Sequence, residues 1–497
     1  MRLLGLRLCD HDSNITLYDN GNLSYYKLER DTQIKHDSFD NLWEWEFVVK
    51  DKFGLDLEDI DEIAIVLDPW RHGMGNSLPE FPAQEIEIFK KIKCKVWWLN
   101  HHFAHALSHN LISETKPDIH VVIDGYGDHD IAWTVFKDEK ILDYGLESAY
   151  GSFGNSYANL ARHLNLTGHR LDLAGKTMGI QAFGQVDENY YHSYKDKNLI
   201  ESLDPRFWVE YNHCDLFISE NRKLDWVKTC HELMQNKLIQ LFQKYVQPND
   251  KIGYSGGAAL NVCWNTELKK IYKNLEIFPH CMDDGLSIGC IEWLRLKNNL
   301  EPTNCSNFPF IQMDESPKNE PTDATIDFVA ELLAQGKIVG WYQGHGEVGY
   351  RALGNRSILM NPMVENGKNH INQKVKNREN YRPFGATILK EHSKKYFKNG
   401  FDNPYMLYSD EFLSSFNDFK SIKHIDNTCR TQTLGVENTV YRKLLEKFYD
   451  KTGVPMLLNT SLNRGGKPIC GSIRDAFGVY YETELDCLVI GNEVYIK

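Results

Sequence analysis

Residues 3–28 read LLGLRLCDHDSNITLYDNGNLSYYKL and residues 119–142 read IHVVIDGYGDHDIAWTVFKDEKIL, and the two stretches share one pattern. In the first, Leu3 to Cys9 is mostly apolar, Asp10 to Asn14 turns, Ile15 to Tyr18 is apolar again, Asp19-Asn20-Gly21 turns, and Leu23 to Leu28 follows. In the second, Ile119 to Ile123 leads into the polar loop Asp124-Gly125-Tyr126-Gly127-Asp128, then Ile131 to Phe136, the turn Lys137-Asp138-Glu139 and Ile141-Leu142. Short apolar runs bounded by Asp, Asn and Gly predict strand, turn, strand, turn, strand, twice over. A duplicated lobe follows. Each copy sets a polar loop between its first two strands, and in a two-lobed nucleotide-binding fold such facing loops surround phosphates with exposed backbone N–H groups.

A chain of 497 residues has room for two to four domains. Hydrophobic residues at 42% and charged residues at 25% are the balance of a globular protein, which excludes a disordered or fibrous chain. Lys and Arg number 56 against 69 Asp and Glu, and a net charge of −13 argues against a broad nucleic-acid surface. A local basic pocket is compatible with it. Arg7 and Asp10 interrupt the first apolar run too early for a signal peptide, and no run of about 18 apolar residues occurs, so a cytoplasmic protein without a membrane span is expected. Eleven scattered cysteines without a CxxC pair predict buried thiols, with no disulfide and no zinc knuckle.

From Asp225 to Val246 apolar residues recur at helical spacing, and Lys251 to Asn261 then reads as a strand ending in a glycine turn that opens a helix. Glu301 to Asp323 carries Pro302, Pro309, Pro317 and Pro321, which break helix and strand alike, so the domain boundary is expected there, with a first domain over 1–305 and a second over 325–497. The second domain reads as mixed α/β: strand Ile338 to Gln343, helix Val440 to Tyr449, strand Val454 to Leu458, helix Ile473 to Tyr481 and strand Cys487 to Ile490.

Three clusters carry chemistry. In Asn100-His101-His102-Phe103-Ala104-His105-Ala106 the outer histidines stand four apart, which on a helix puts both imidazoles on one face for a shared divalent metal. A carboxylate from another element would complete such a site, and Asp124 and Asp283 are the candidates; helix-cap or surface histidines are the plainer alternative. The run Gly344 to Ser357 holds Arg351 and Arg356 among four glycines, and Lys374 to Phe384 adds Lys374, Lys376, Arg378 and Arg382. Arginine forks and lysine charges there suit phosphate oxygens, against the alternative of a solvated basic face. Leu458 to Pro468 adds hydroxyl and amide side chains that suit a nucleotide or phosphate, though any strand-to-helix turn uses the same residues.

Taken together, these runs resemble the O-carbamoyltransferase family of nodulation and antibiotic-tailoring enzymes over nearly the whole chain. The matching stretches are Asp10 to Ser13, Arg30 to Asp37, His101 to Ser108, Asp124 to Gly127, Gly175 to Gly179, Gly256 to Asn261, the Asp283 loop, Arg351 to Ser357, Arg378 to Phe384, His424 to Thr433 and Leu458 to Asn463. The resemblance implies an α/β N-terminal domain with a duplicated actin/hexokinase-like ATPase fold (TsaD-like), followed by a C-terminal YrdC-like mixed α/β domain. It implies that carbamoyl phosphate and ATP give carbamoyl-adenylate in the second domain, and that the carbamoyl group passes to a substrate hydroxyl in the first.

Carried over by position, Arg351, Lys376, Arg382 and Arg430 resemble the carbamoyl-phosphate and ATP phosphate contacts, and His101, His105, Asp124 and Asp283 the ligands of a divalent metal of the Fe2+ type. His11 then lies beside the acceptor hydroxyl, and Lys35 is a candidate for the first-domain nucleotide site. Gly125, Lys176, Gly256, Gly257, Asn261, Asn355, Arg356, Arg378, Thr460, Ser461 and Asn463 fill out the substrate and nucleotide contacts, with Mg2+ accompanying ATP. Three residues depart from the family pattern: His345 where Arg is common, Tyr350 where Pro is common, and Lys467 where Glu is common.

Two other readings compete, a tRNA threonylcarbamoyl-type transferase and a nucleotide-binding sensor without turnover. The fused second domain and the acidic balance argue against the first, and the complete set of histidines and cations against the second. The acceptor class expected is a small molecule, with a hydroxymethylated nucleotide or DNA base among the options and a homodimer left open. Its specificity insert is placed at Tyr190 to Asn221.

Overall fold

The computed structural model describes residues 1–68, 83–89, 92–146, 152–196, 220–436 and 438–497. Most of the insert expected to set acceptor specificity, residues 197–219, lies outside them. The chain forms two compact units: Met1–Leu23 with Phe39–Asn304, and Ser24–Ser38 with Cys305–Lys497.

The first unit is built on two sheets. Strands β1 (Arg2–Arg7), β2 (Asn14–Asp19), β3 (Asn22–Lys27), β4 (Glu62–Val66), β5 (Ala83–Ile86) and β6 (Lys95–Leu99) stand in the order β3-β2-β1-β4-β6-β5, and from Ser24 onward β3 belongs to the second unit. Strands β7 (Ile119–Ile123), β8 (Ile131–Lys137), β9 (Lys140–Leu146), β10 (Ile252–Ser255) and β11 (Leu275–Glu276) stand in the order β9-β8-β7-β10-β11. Number the strands within each copy and both sheets read 3-2-1-4-5, with β5 as an extra antiparallel edge in the first. In each, the first two strands pair antiparallel and the first pairs parallel with the fourth. This is the duplicated α/β core of an actin/hexokinase-like ATPase fold. Parallel pairing needs a crossover, and the helical segments between β3 and β4, β9 and β10, and β10 and β11 supply it for the β1–β4, β7–β10 and β10–β11 pairs.

Two helices lock the copies' active ends together. His101–Ile112 follows β6 directly, with Asn100 as its N-cap accepting the Phe103 N–H at 3.0 Å. Leu286–Lys297 packs across it at Gly289, where a Cβ would lie 2.0 Å from the Ala104 carbonyl oxygen. Only glycine permits that approach. Asn14 on β2 holds the turn before the second helix at both ends: its Nδ2 donates to the Asp283 carbonyl at 3.0 Å and its Oδ1 accepts from Ser287 N at 3.2 Å.

The second unit carries an eight-stranded mixed sheet of β12 (Val339–Tyr342), β13 (Arg356–Met360), β14 (Gly385–Leu389), β15 (Ser409–Glu411), β16 (Thr428–Leu434), β17 (Met456–Ser461), β18 (Cys487–Ile490) and β19 (Glu493–Ile496), in the order β15-β16-β14-β17-β13-β12-β18-β19. Helices Asp323–Ala334, Thr439–Thr452 and Ile473–Glu482 flank it, and one core runs through Trp341, Ile358, Ile388, Tyr441, Leu458 and Leu488. The break between the units falls at Asn304–Cys305, and residues 24–38 join the second unit, where Tyr25 and Gln312 form a parallel bridge and Met313 N donates to the Tyr25 carbonyl at 2.6 Å. Among the described residues no helix is long and apolar enough to cross a membrane, and the cysteines are free thiols.

Candidate metal centre and candidate anion site

His101 and His105 sit one turn apart on the first unit's His101–Ile112 helix, their rings 4.9 Å apart between centroids. Asp124, just past the end of β7, brings Oδ2 to 3.3 Å from His101 Nε2 and 3.1 Å from His105 Nε2. Asp283 brings Oδ1 to 3.4 and 3.5 Å from the same two nitrogens. Four donor atoms, two imidazole nitrogens and two carboxylate oxygens, thus lie within 4.8 Å of one another. All four sequence-expected ligands meet.

The groups around this cluster fix it. The Asp124 Oδ1 accepts from Gly125 N at 2.6 Å and Gly257 N at 3.2 Å, and a Cβ on Gly257 would lie 2.9 Å from that oxygen. Arg7, buried in β1, donates through Nη2 to Asp283 Oδ2 at 3.2 Å. Asp128 accepts from the His101 backbone N at 2.7 Å and from Asn100 at 3.2 Å, which holds the ligand helix at its N-terminus. Burial disfavours charge on each group, yet the Asp283 and Asp124 carboxylates raise His101 to about 10, and the imidazoles in turn hold both carboxyls far below the usual carboxylate range. Two nitrogens and two hard oxygens at this spacing suit a divalent transition ion, which would compete with a proton on His101.

His11 stands beside this cluster. Its Nδ1 lies 3.0 Å from the fully buried Asp12 Oδ2 and its Nε2 3.7 Å from Asp283 Oδ2. Donation from Nδ1 to Asp12 leaves Nε2 the basic nitrogen.

The second unit assembles the cations. Lys376 follows a π-helical turn, Ile371–Val375, and its ammonium donates to the Ser461 carbonyl, to Ser461 Oγ at 3.2 Å and to Asn463 Oδ1 at 2.5 Å. Gly465 N donates back to the Lys376 carbonyl at 2.6 Å. Arg378 bonds Asn372 Oδ1 at 2.7 Å and lies 4.7 Å over the Phe384 ring. Arg430 stands on β16 opposite Gly385. Burial first, and then the charges of their neighbours, push Lys376, Arg378 and Arg430 below their ordinary values: Arg378, Arg382 and Lys35 act on Lys376, while Arg351, Arg378 and Arg382 act on Arg430. Cations that depress one another are relieved by an anion among them. Arg382 keeps an ion pair with Glu379 at 3.7 Å.

The other expected contact residues have partners within the fold. Arg356, with no solvent exposure, pairs with Asp314 at 2.9 Å, donates to the Gln343, Gly344, Glu315 and Asn355 carbonyls and lies 3.6 Å over the Tyr342 ring. Lys35 belongs to the second unit, not the first. Asn355 bridges the His345 carbonyl and Asn438, Asn261 caps helix Val262–Ile271, Gly256 N donates to the Cys281 carbonyl, Lys176 donates to the Thr167 carbonyl at 2.6 Å, and Thr460 is buried in β17. His345 is bonded to Ser316, and Lys467 donates to the Gln33 carbonyl.

Sequence reasoning missed Arg7, Asp12, Asp128 and Glu347. Glu347 is fully buried, and its Oε1 accepts from Leu353 N and Asn355 N at 2.8 Å and Arg356 N at 3.1 Å, folding the glycine-rich loop around one carboxylate. The signals were present: a lone Arg in an apolar strand and a lone acid in a cationic loop.

Residues 78–291 match the model described as carbamoyltransferase N-terminus and residues 330–497 the model described as carbamoyltransferase C-terminus. The chain belongs to the carbamoyltransferase family. It is therefore a transferase. Nodulation protein NolNO of Sinorhizobium fredii is 28% identical over 81% of this chain and 64% of its own length. Nodulation protein U of Bradyrhizobium diazoefficiens is 24% identical over 94% of this chain and 93% of its own. The 3'-hydroxymethylcephem-O-carbamoyltransferase of Amycolatopsis lactamdurans is 28% identical over 66% and 65%. Among solved structures, HypF of T. kodakarensis aligns with a TM-score of 0.39 at 12% identity, over 61% of this chain and 48% of that one.

Proposed function

We propose that this carbamoyltransferase is an ATP-dependent O-carbamoyltransferase. In the second unit, read as YrdC-like, carbamoyl phosphate, ATP and water give carbamoyl-adenylate with release of phosphate and pyrophosphate. In the first, the carbamoyl carbon passes to an acceptor hydroxyl and AMP leaves. The observation that carries this reading is the gathering of cations in the second unit, where Lys376 is buried and the Arg378 and Arg382 charges act on both Lys376 and Arg430. Carbamoyl phosphate and the ATP phosphates are the anions that this family's chemistry would bring to it.

The residues divide the work. Lys376, held by Ser461 and Asn463, presents a fixed ammonium, while Arg351, Arg382 and Arg430 neutralise charge on the departing phosphates. In the first unit His11, its Nδ1 proton directed at Asp12, takes the acceptor's hydroxyl proton at Nε2. His101, His105, Asp124 and Asp283 fit a divalent ion, read as Fe2+ by family resemblance, and when bound it would polarise the carbamoyl carbonyl. The O-carbamoyltransferase relative supports a small hydroxylated acceptor, and a hydroxymethylated nucleotide or DNA base has the same reacting group.

The test is to incubate the full chain with ATP, carbamoyl phosphate and a panel of alcohols, reading AMP and pyrophosphate release and the gain of one carbamoyl group by mass spectrometry. Carbamoyl-phosphate-independent AMP release, or no release at all, would sink the reading.

A further inference from the structure

Under the Arg351 loop three polar side chains meet inside the second unit's sheet. Thr387 on β14 stands opposite Gln432 on β16, and Gly385, two residues before Thr387, stands opposite Asn459 on β17. Side chains two apart on a strand share a face, so Thr387, Gln432 and Asn459 lie on the same face as Arg430 on β16 and Ser461 on β17, the residue that holds Lys376. All three are buried. Thr387 Oγ1 donates to Gln432 Oε1 at 2.6 Å and accepts from Asn459 Nδ2 at 3.0 Å. A hydroxyl has one proton, so these two bonds set both amides, and their nitrogens turn to the loop. Gln432 Nε2 donates to the Leu353 carbonyl at 2.9 Å and Asn459 Nδ2 to the Ala352 carbonyl at 3.3 Å. Glu347 takes the Leu353 N–H, and Gly354, at φ +119°, lies against Tyr441, where a Cβ would come 2.2 Å from a ring carbon.

We propose that Thr387, Gln432 and Asn459 are positioning residues of the second unit's anion site, a buried network that holds the backbone after Arg351 so that its guanidinium stays close to Arg430 before an anion arrives. The inference rests on reading that cluster as the site of phosphate chemistry. Buried amides and hydroxyls cost free energy unless each is bonded, and an apolar trio would fill the same space without that cost. What the polar trio adds is a grip on two carbonyls, both in the residues that directly follow Arg351. The Arg351 charge acts on Arg430, and two like charges push the loop away from the sheet until an anion joins them. The network opposes that push, so the anion meets a site already formed and does not have to order the loop itself.

The experiment measures calorimetric binding of inorganic pyrophosphate to full-length wild type, Thr387→Val, Thr387→Ser, Gln432→Leu, Arg351→Met and the Arg351→Met, Gln432→Leu double variant. Thr387→Val keeps the shape of the side chain and removes the hydroxyl that sets both amides; it weakens pyrophosphate binding about tenfold, while Thr387→Ser, which keeps the hydroxyl, binds as wild type does. Gln432→Leu weakens binding by a similar factor in the wild-type background and has no further effect in the Arg351→Met background, because it acts through that guanidinium. A network that only supports the fold gives a different result: Thr387→Val unfolds at lower urea, yet its folded form binds pyrophosphate as tightly as wild type. That outcome, or a Gln432→Leu effect of the same size in both backgrounds, overturns the inference. Carbamoyl-phosphate-dependent exchange of pyrophosphate into ATP, read on the same proteins, separates it from the function reading. Wild type that binds pyrophosphate without exchange removes the carbamoyl chemistry alone, and wild type that does not bind it removes both.

Discussion

Arg7 interrupts the only apolar run of β1, and its guanidinium is spent on Asp283, a residue 276 positions later. That separation explains what was legible at the scale of single residues. His101 and His105 declared themselves because helical spacing is local, Asp124 because it ends an apolar run, and Asp283 because it stands in a glycine-containing loop before a helix. Arg7 acts through a contact that only the folded chain creates. Removing a proposed metal ligand has a direct outcome: His105→Ala and Asp283→Asn should lower divalent-metal affinity at least about tenfold, read by metal analysis after dialysis, while the fold's circular dichroism is kept. Glu347→Ala strips three backbone N–H groups of their acceptor and costs about 3 kcal/mol in urea unfolding, whereas Glu347→Gln, which keeps one acceptor oxygen, costs about half as much. Glu276 gives a pH dependence. Burial would raise its carboxyl, but His109 at 3.6 Å, a hydrogen bond from Ser113 at 2.8 Å and the Lys251 charge hold it down to about 2. A carboxylate depressed in the folded state adds stability that is complete above its ordinary value of 4.5 and is lost as pH falls toward 2. Glu276 is partly exposed, so solvent screening leaves about 1 kcal/mol, and the stability difference between wild type and Glu276→Gln should vanish near pH 2.

Among elements, the strands whose signal is a local apolar run came through nearly unshifted: Cys487–Ile490 is β18 to the residue. The strand expected over Val454 to Leu458 instead spans Met456–Ser461, because Gly453 caps the preceding helix in the left-handed region and Pro455 has no N–H for the ladder. Helix packing was not legible, since nothing in a single sequence marks which glycine faces a neighbouring backbone. Gly289 is that glycine, and it sets how the helix bearing His101 and His105 meets the helix that follows Asp283. Gly289→Ala forces the two helices apart at the Ala104 carbonyl. It should cost about 1–3 kcal/mol in thermal unfolding and weaken metal binding as well, although Gly289 touches no ligand. A variant that loses stability and keeps full metal affinity would show that the helix spacing does not set the donor geometry.

For the molecule as a whole, the duplicated lobe was readable from two copies of one pattern, and both sheets share the 3-2-1-4-5 order. The exchange of residues 24–38 into the second unit was not, because the Tyr25–Gln312 bridge joins segments almost three hundred residues apart. Each unit holds one complete constellation, the donor atoms in the first and the cations in the second. On the reaction proposed above, its two half-reactions should therefore fail independently. Arg430→Ala removes a cation from the second unit and should lower carbamoyl-phosphate-dependent pyrophosphate exchange by about a hundredfold or more, the loss of a charge-assisted contact to developing phosphate charge. Metal content should stay unchanged, since Arg430 belongs to a different unit from every ligand. His105→Ala should do the reverse: exchange proceeds at close to the wild-type rate, metal is lost, and no carbamoylated acceptor forms. Mixing the two full-length variants then asks whether the carbamoyl intermediate travels through solvent. Carbamoyl-adenylate is labile, so a mixture that yields product in proportion to enzyme concentration shows release and recapture, and one that yields none shows that a single chain must carry both steps.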